Sequence, residues 1–188
     1  MFFVLEGLDG SGITTQAHLL KNYLAKKALL TKEPSDGLIG GLIKSCLRKE
    51  WSTSPLALQM LFAADRAHHL ESEIEPALKQ GKIVISDRYM LSTYAFGAVG
   101  VDIATIKAIN ASFRKPDATI FIDTPPDVCV TRMSESRQHV ELFEELDKLR
   151  KIRENYIRYI GEFPDAHIID GNRPMEEVHE DVKKALKL

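Results

Sequence analysis

The sequence predicts an α/β fold in which a five-stranded parallel sheet carries helices on both faces. Three observations predict it. Short apolar runs alternate with longer amphipathic stretches, four of the five runs are rich in Val, Ile or Phe with little polar alternation, and Gly or Pro stands where one pattern gives way to the next.

The elements follow in order. Phe2–Glu6 reads as a buried first strand, cut off at once by a Gly-rich loop. Thr14–Lys27 is amphipathic and helical, and Ala28–Lys32 is the second strand. Leu38–Arg48 and Pro55–Gln80 are the next helices. Ser54 stands at the N-cap of the second, with Pro55 at its first helical position, and Gly81 stands where it should end. Lys82–Asp87 is the third strand, followed by helices Leu91–Ala98 and Ile103–Phe113. Pro116 and Asp117 open the fourth strand, Ala118–Asp123, and Pro125 and Pro126 start the helix Pro126–Ser134. Glu141–Gly161, the strand His167–Asp170 and the helix Met175–Leu186 complete the chain. Ser134–His139 is polar and ambiguous in pattern, and is expected as a mobile loop.

No repeat, linker or low-complexity tract divides the 188 residues, so one domain spanning 1–188 is expected. A formal charge of −2 gives no global basic field, which argues against a protein that wraps long nucleic acid. Local Arg and Lys clusters can still hold small anionic ligands. Two cysteines, Cys46 and Cys129, make neither a disulfide framework nor a metal site, and are expected as reduced thiols. No apolar run reaches the ~18 residues of a membrane span. The apolar start lacks a charged leader, so a cytoplasmic location is expected.

Directly after the first strand come Gly7, Leu8, Asp9, Gly10, Ser11, Gly12, Ile13, Thr14 and Thr15, running into a helix. This fits the phosphate-loop template of two glycines five positions apart followed by Lys and Ser or Thr. Glycines let the chain curl so that successive N–H groups converge on a phosphate, and the helix adds its positive end. Thr14 takes the position of the Mg²⁺ ligand. At the lysine position stands Ile13, which offers neither charge nor hydrogen bond. Loss of one donor to developing charge costs ~10²–10³ in turnover, whereas the N–H cradle is kept. A natural variant compensated by other cations, a non-catalytic paralogue and an engineered substitution all fit the sequence.

The third strand ends at Asp87 and Arg88. In an open parallel sheet ligands gather at the carboxyl ends of strands, which places both beside the phosphate loop. There a carboxylate can hold Mg²⁺ or its waters, and an arginine fork can grip an acceptor phosphate.

With these pieces in place the chain resembles the thymidylate kinases. The matching text is Phe3-Val-Leu-Glu6-Gly-Leu-Asp9-Gly-Ser-Gly12, Thr14-Thr15-Gln16, Lys32-Glu33-Pro34 and Leu61-Phe62-Ala-Ala-Asp65-Arg66. Further along it continues with Ile74-Glu-Pro76-Ala-Leu78, Gly81-Lys82, Asp87-Arg88-Tyr89 with Ser92, and Ile122-Asp-Thr-Pro125-Pro126. The motifs stand in order over almost the whole chain. The resemblance implies a P-loop NTPase-type three-layer fold with a short lid at about 134–140. It implies transfer of the ATP γ-phosphoryl group to dTMP with Mg²⁺ bound by Thr14 and Asp87, and a homodimer. Carried over, Phe62 would stack on thymine and Arg66 would bond its edge. Their i, i+4 spacing puts both on one helix face. Asp9 would touch the sugar 3′-hydroxyl. Arg88 would hold the dTMP phosphate with Lys44 assisting, Ser92 belongs to the same substrate set, and Phe96 would crowd the sugar 2′ position. Many relatives have Tyr-Gln where this chain has Phe96 and Gly97.

Some thymidylate kinases carry a catalytic arginine in the phosphate loop and others in the lid. Gly10 and Ser11 make this chain similar to the lid-supplied type, with Arg132 and Arg137 flanking Met133–Ser136. Arg150 and Arg153 lie further off, and His139 stands where relatives often carry Arg. The resemblance thus implies Asp9, Asp87, Arg132 and Arg137 as the catalytic set, and Asn172 and Arg173 as a wall beside adenine. Three functions remain open at this point: a dTMP kinase impaired by Ile13, a kinase-like protein that binds nucleotide with little transfer, and a kinase for another pyrimidine nucleotide. Phe62 and Arg66 favour a base with a 4-keto oxygen, though dTMP against dUMP rests on one methyl, worth ~1–3 kcal/mol.

Overall fold

A computed structural model describes residues 1–133 and 139–188, with side chains in 1–133 and 146–188. The expected lid at about 134–140 and Arg137 lie outside the described residues, except for the backbone from His139 onward.

All five expected strands form: β1 (Phe2–Gly7), β2 (Ala28–Lys32), β3 (Ile83–Asp87), β4 (Ala118–Asp123) and β5 (Ala166–Asp170). They pair in parallel in the order β2-β3-β1-β4-β5. The register sets Leu5 and Lys32 level with Asp87, Gly7 level with Ile122, and Asp123 level with Asp170. The chain crosses from one side of β1 to the other between β3 and β4. A crevice therefore opens beyond the carboxyl end of β1.

The helices are α1 (Ile13–Leu24), α2 (Leu38–Leu47), α3 (Pro55–His69), α4 (Glu75–Lys79), α5 (Met90–Gly97), α6 (Ile103–Asn110), α7 (Pro126–Met133), α8 (His139–Tyr159) and α9 (Met175–Ala185). Alternation along the strands divides the core in two. Phe2, Val4, Val84 and Phe121 face a cluster with Leu91, Ala95, Ile106, Ile152 and Tyr156, which belong to α5, α6 and α8. Phe3, Leu5, Ile120 and Ile122 face the other way, onto Ala17 and Leu20 of α1 and Val178 and Val182 of α9. Helices thus cover both faces, giving the three-layer P-loop NTPase-type architecture.

The expected helix Pro55–Gln80 is broken. α3 stops at His69, a π-helical turn covers Leu70–Ile74, and α4 begins at Glu75. Pro76 has no N–H, and its ring would collide with the carbonyl four residues back, so the chain widens just before it. The Ser54 hydroxyl caps α3 by accepting from Ala57 N at 3.2 Å. Gly81, at φ 75, sits just past α4 and ends it as expected.

Candidate active site

The loop after β1 needs glycine at two points. Gly10 and Gly12 have φ of 80 and 98, where a Cβ is strained, and a Cβ on Gly10 would also stand 2.6 Å from Cys129 O. Gly12 then caps α1, whose first N–H groups face the crevice. Ile13 is turned inward. It is 4 % exposed, packs with Leu5, Ala17 and Ile122, and its Cγ2 lies 2.8 Å from where a Gly7 Cβ would be. Ser11 Oγ is buried with no hydrogen-bond partner among the described residues.

Thr14 donates from Oγ1 to Asp87 Oδ2 at 2.6 Å, so α1 and β3 bring two hard oxygen donors together. That donor set fits Mg²⁺, which takes one or two carboxylates plus phosphate and water in place of an all-protein cage. Among the described residues no group of three His, Cys, Asp or Glu could form such a cage.

Arg88 stands at the centre. Its φ of 70 is left-handed for a non-glycine residue and aims the side chain back over the loop. Nη1 donates to Gly7 O at 2.6 Å and to Tyr156 Oη at 3.0 Å, and Nη2 donates to Asp9 Oδ1 at 2.7 Å. Its Cζ lies 5.2 Å from the Phe96 ring centroid. Burial works against the charge, but Tyr156, Asp9, Glu6 and Asp87 hold the pKa above the ordinary arginine value. A permanent cation therefore sits between the loop after β1 and the Phe96 ring.

Two residues here were missed by sequence reasoning. Glu6 is fully buried, accepts from Tyr89 N at 3.0 Å and from Ser92 Oγ, and burial pushes its pKa from 4.5 to about 7, against the hydrogen bonds and the Arg88 charge. Tyr156 places its hydroxyl 3.1 Å from Gly7 O and 2.7 Å from Ser92 Oγ, locking α8 against the loop. Glu6 had a signal, a carboxylate inside an apolar strand. Tyr156 had none, since a buried stripe on α8 predicts packing and not a polar contact with residue 7.

Arg66 lines the cleft together with Phe62. It is fully buried and its guanidinium is already engaged. Nε and Nη2 donate to Glu33 Oε2 at 3.0 and 2.7 Å, Nη2 to Thr93 Oγ1 at 2.9 Å, and Nη1 to Asn110 Oδ1. This buried ion pair fastens α3 to the segment after β2. Asp65 adds to this by accepting from Ser35 N and Oγ at 2.7 and 2.6 Å.

One cleft of about 890 Å³ collects most of the expected residues. Leu8 to Thr15, Asp87 and Arg88 form its floor; Phe62, Arg66, Ser92 and Phe96 form one wall. Lys44 lines it too, its Nζ 2.5 Å from Asp36 Oδ1. On the far side are Arg132, donating to Gly171 O at 3.3 Å, and Arg173, held by Asp181. Lys148 of α8, not singled out from the sequence, lines the same cleft. Arg153 is drawn away into a bidentate pair with Asp123 at 2.6 and 2.7 Å, and Arg150 pairs with Asp147 at 2.9 Å. Asn172 is exposed and does not line the cleft; Gly171 and Met175 do. Gly97 lies against Gln59, and a Cβ there would stand 2.8 Å from Gln59 Oε1. Side-chain volume at position 97 is thus exchanged for an amide arriving from α3.

Comparison with known proteins agrees with this fold. The family model described as thymidylate kinase matches residues 5–182. A protein named "Probable thymidylate kinase" from Pyrobaculum aerophilum is 42% identical, over 99% of this chain and 96% of its own. One of the same name from Pyrococcus abyssi is 39% identical, over 99% and 95%. The crystal structure of thymidylate kinase from Ehrlichia chaffeensis superposes with a TM-score of 0.80 at 28% identity, covering 99% of this chain and 98% of that one.

Proposed function

The chain belongs to the thymidylate kinase family, and from that premise we propose that it transfers the γ-phosphoryl group of ATP to dTMP, giving dTDP and ADP. The observation that carries the reading is the single cleft that joins a phosphate loop to Arg88, Phe62 and Phe96. In this reading the N–H groups of Gly10 to Thr15 and the α1 terminus hold the ATP phosphates. Thr14 and Asp87 hold Mg²⁺, which when bound neutralises phosphate charge. Arg88 leaves Asp9 for the acceptor phosphate, Asp9 then faces the sugar hydroxyl, and Lys44 assists from α2. Phe62 stacks on the base, Ser92 fixes Arg88, and Phe96 closes the sugar side. Arg132 and Arg137 meet the charge of the transferring group, and Arg173, with Gly171 in place of Asn172, flanks adenine. No covalent intermediate is needed, because the work is positioning and charge stabilisation.

Residues 1–188 form one domain in this reading, acting as a cytoplasmic homodimer. Among the described residues no helix is long and apolar enough to cross a membrane. Ile13 impairs turnover by leaving the lysine position without charge. The same observation favours a second reading, a kinase-like protein that binds nucleotide and transfers little. Coupled detection of ADP over a panel of nucleoside monophosphates decides between them. The kinase reading requires turnover on dTMP above all other acceptors. Tight ATP binding with no turnover on any acceptor would establish the second reading, and preferred turnover on dUMP or a cytidine nucleotide would reassign the acceptor.

A further inference from the structure

The structure assigns to Thr124 the positioning of the phosphate loop: its hydroxyl turns the Ser11–Gly12 peptide so that the Gly12 N–H faces the cleft and meets a nucleotide phosphate. This rests on the reading of the cleft as a nucleotide site and adds to it a residue that touches no ligand.

A loop whose N–H groups converge on an anion must turn its carbonyls outward, and each outward carbonyl needs a donor. For the neighbouring carbonyls the donors are in place. Gly7 O accepts from Arg88 Nη1 at 2.6 Å and from Tyr156 Oη at 3.1 Å, Leu8 O from Ser11 N at 3.1 Å, and Gly12 O from Gln16 N at 3.0 Å. Ser11 O is met by Thr124 Oγ1 at 3.1 Å, a buried contact between residues 113 positions apart.

A peptide unit is planar and trans, so the Ser11 carbonyl and the Gly12 N–H point in opposite directions. Thr124 is buried and does not line the cleft, whereas Ser11 and Gly12 do. A carbonyl tied to Thr124 therefore sends the Gly12 N–H to the cleft side. Without that tie the plane can turn at little cost, because Gly12, at φ 98, lacks the Cβ that would restrict it.

Thr124 is itself held. It follows β4 directly, and its carbonyl accepts from Cys129 Sγ at 3.6 Å. Gly171 leaves room for the hydroxyl, since a Cβ there would stand 2.2 Å from Thr124 Oγ1. Gly171 N in turn donates to Asp123 O at 2.9 Å. The ends of β4 and β5 thus set the loop that follows β1.

Two variants test this by titration calorimetry with ADP and, separately, with dTMP. Thr124→Val keeps the side-chain shape and removes the hydroxyl; Thr124→Ser keeps the hydroxyl and removes a methyl group. Thr124→Val is expected to weaken ADP about tenfold and leave dTMP unchanged, and Thr124→Ser to hold ADP within about twofold of the parent. In amide spectra the Gly12 proton should move downfield when ADP is added to the parent or to Thr124→Ser, and stay in place in Thr124→Val. Lost stability alone would not produce that signature. Unchanged ADP affinity in Thr124→Val, an equal loss in Thr124→Ser, or equal weakening of ADP and dTMP would overturn the assignment and leave the proposed kinase function standing. A Gly12 proton that does not respond to ADP in the parent would overturn it without any variant. If the parent binds ADP but transfers to no acceptor, phosphotransfer fails and the titrations still decide the role of Thr124. If the parent does not bind ADP, both fall.

Discussion

Exchanging Ile13 for lysine should move stability and turnover in opposite directions. Ile13 is 4 % exposed and packs with Leu5, Ala17 and Ile122 under the phosphate loop. Fully burying such a side chain is worth about 1.5–3 kcal/mol. A lysine keeps part of this by burying its stem while its head reaches the cleft, so the net loss should be about 1–2 kcal/mol. For a chain of this size each kcal/mol shifts Tm by about 2–4 °C, so Tm should fall by about 2–8 °C. In return the ammonium restores a donor to the β- and γ-phosphates. A missing donor of this kind costs ~10²–10³, and at least tenfold should be regained in kcat on dTMP. Differential scanning fluorimetry without nucleotide and a coupled ADP assay read the two effects separately. A lower Tm with unchanged kcat would mean that other cations of the cleft, Arg132 and Lys148 among them, already supply the charge, and the impairment assigned to Ile13 would be refuted.

Three further outcomes follow from Glu6, Arg66 and Asp87. Glu6 has a folded-state pKa raised from 4.5 to about 7. Its contribution to stability is therefore fully present below about 4.5 and is lost as pH rises through about 7. At 1.36 kcal/mol per pH unit the loss is on the order of 3 kcal/mol; Glu6→Gln should flatten this slope in denaturant titrations, and its KM for dTMP should no longer rise above pH 7, where an ionised Glu6 in the parent competes for Arg88. Arg66→Ala strips the buried Glu33 of its arginine partner and leaves it only His69 Nδ1 at 3.2 Å, so it should cost about 3–5 kcal/mol in urea unfolding, and any loss of dTMP binding must be read against that. Asp87→Asn replaces the carboxylate beside Thr14 by a neutral amide oxygen and should raise the Mg²⁺ concentration for half-maximal turnover about tenfold or more, measured by titrating Mg²⁺ at fixed ATP.

The sheet was legible because buried parallel strands announce themselves as short Val, Ile and Phe runs, and the five strands end within a residue of where those runs end. The phosphate loop was legible because its glycines serve the backbone, and φ values of 80 and 98 at Gly10 and Gly12 are what such spacing demands. Asp87 and Arg88 followed from the rule that strand ends gather ligands. What the sequence hid was pairing at long range. Arg66 finds Glu33 across 33 positions, and Tyr156 finds Gly7 across 149. Neither partner can be read from local pattern, so the sequence marked Arg66 only by its spacing from Phe62 and did not mark Tyr156. The break at Pro76 was visible as a proline but was overridden by a continuous amphipathic pattern around it. Gln59 was invisible for a third reason. An amide on a helix is ordinary until its burial against Gly97 leaves its oxygen without a partner among the described residues.

The central claim, that one cleft holds a triphosphate on the loop and an acceptor phosphate on Arg88, is tested most directly by a crystal structure with Mg²⁺, dTMP and an ATP analogue whose γ-phosphoryl group cannot transfer. The account predicts the triphosphate along the N–H groups of Gly10 to Thr15, Thr14 and Asp87 beside the metal, and Arg88 turned from Asp9 to the dTMP phosphate. Nucleotides bound elsewhere, or Arg88 still on Asp9 with the acceptor in place, would contradict it.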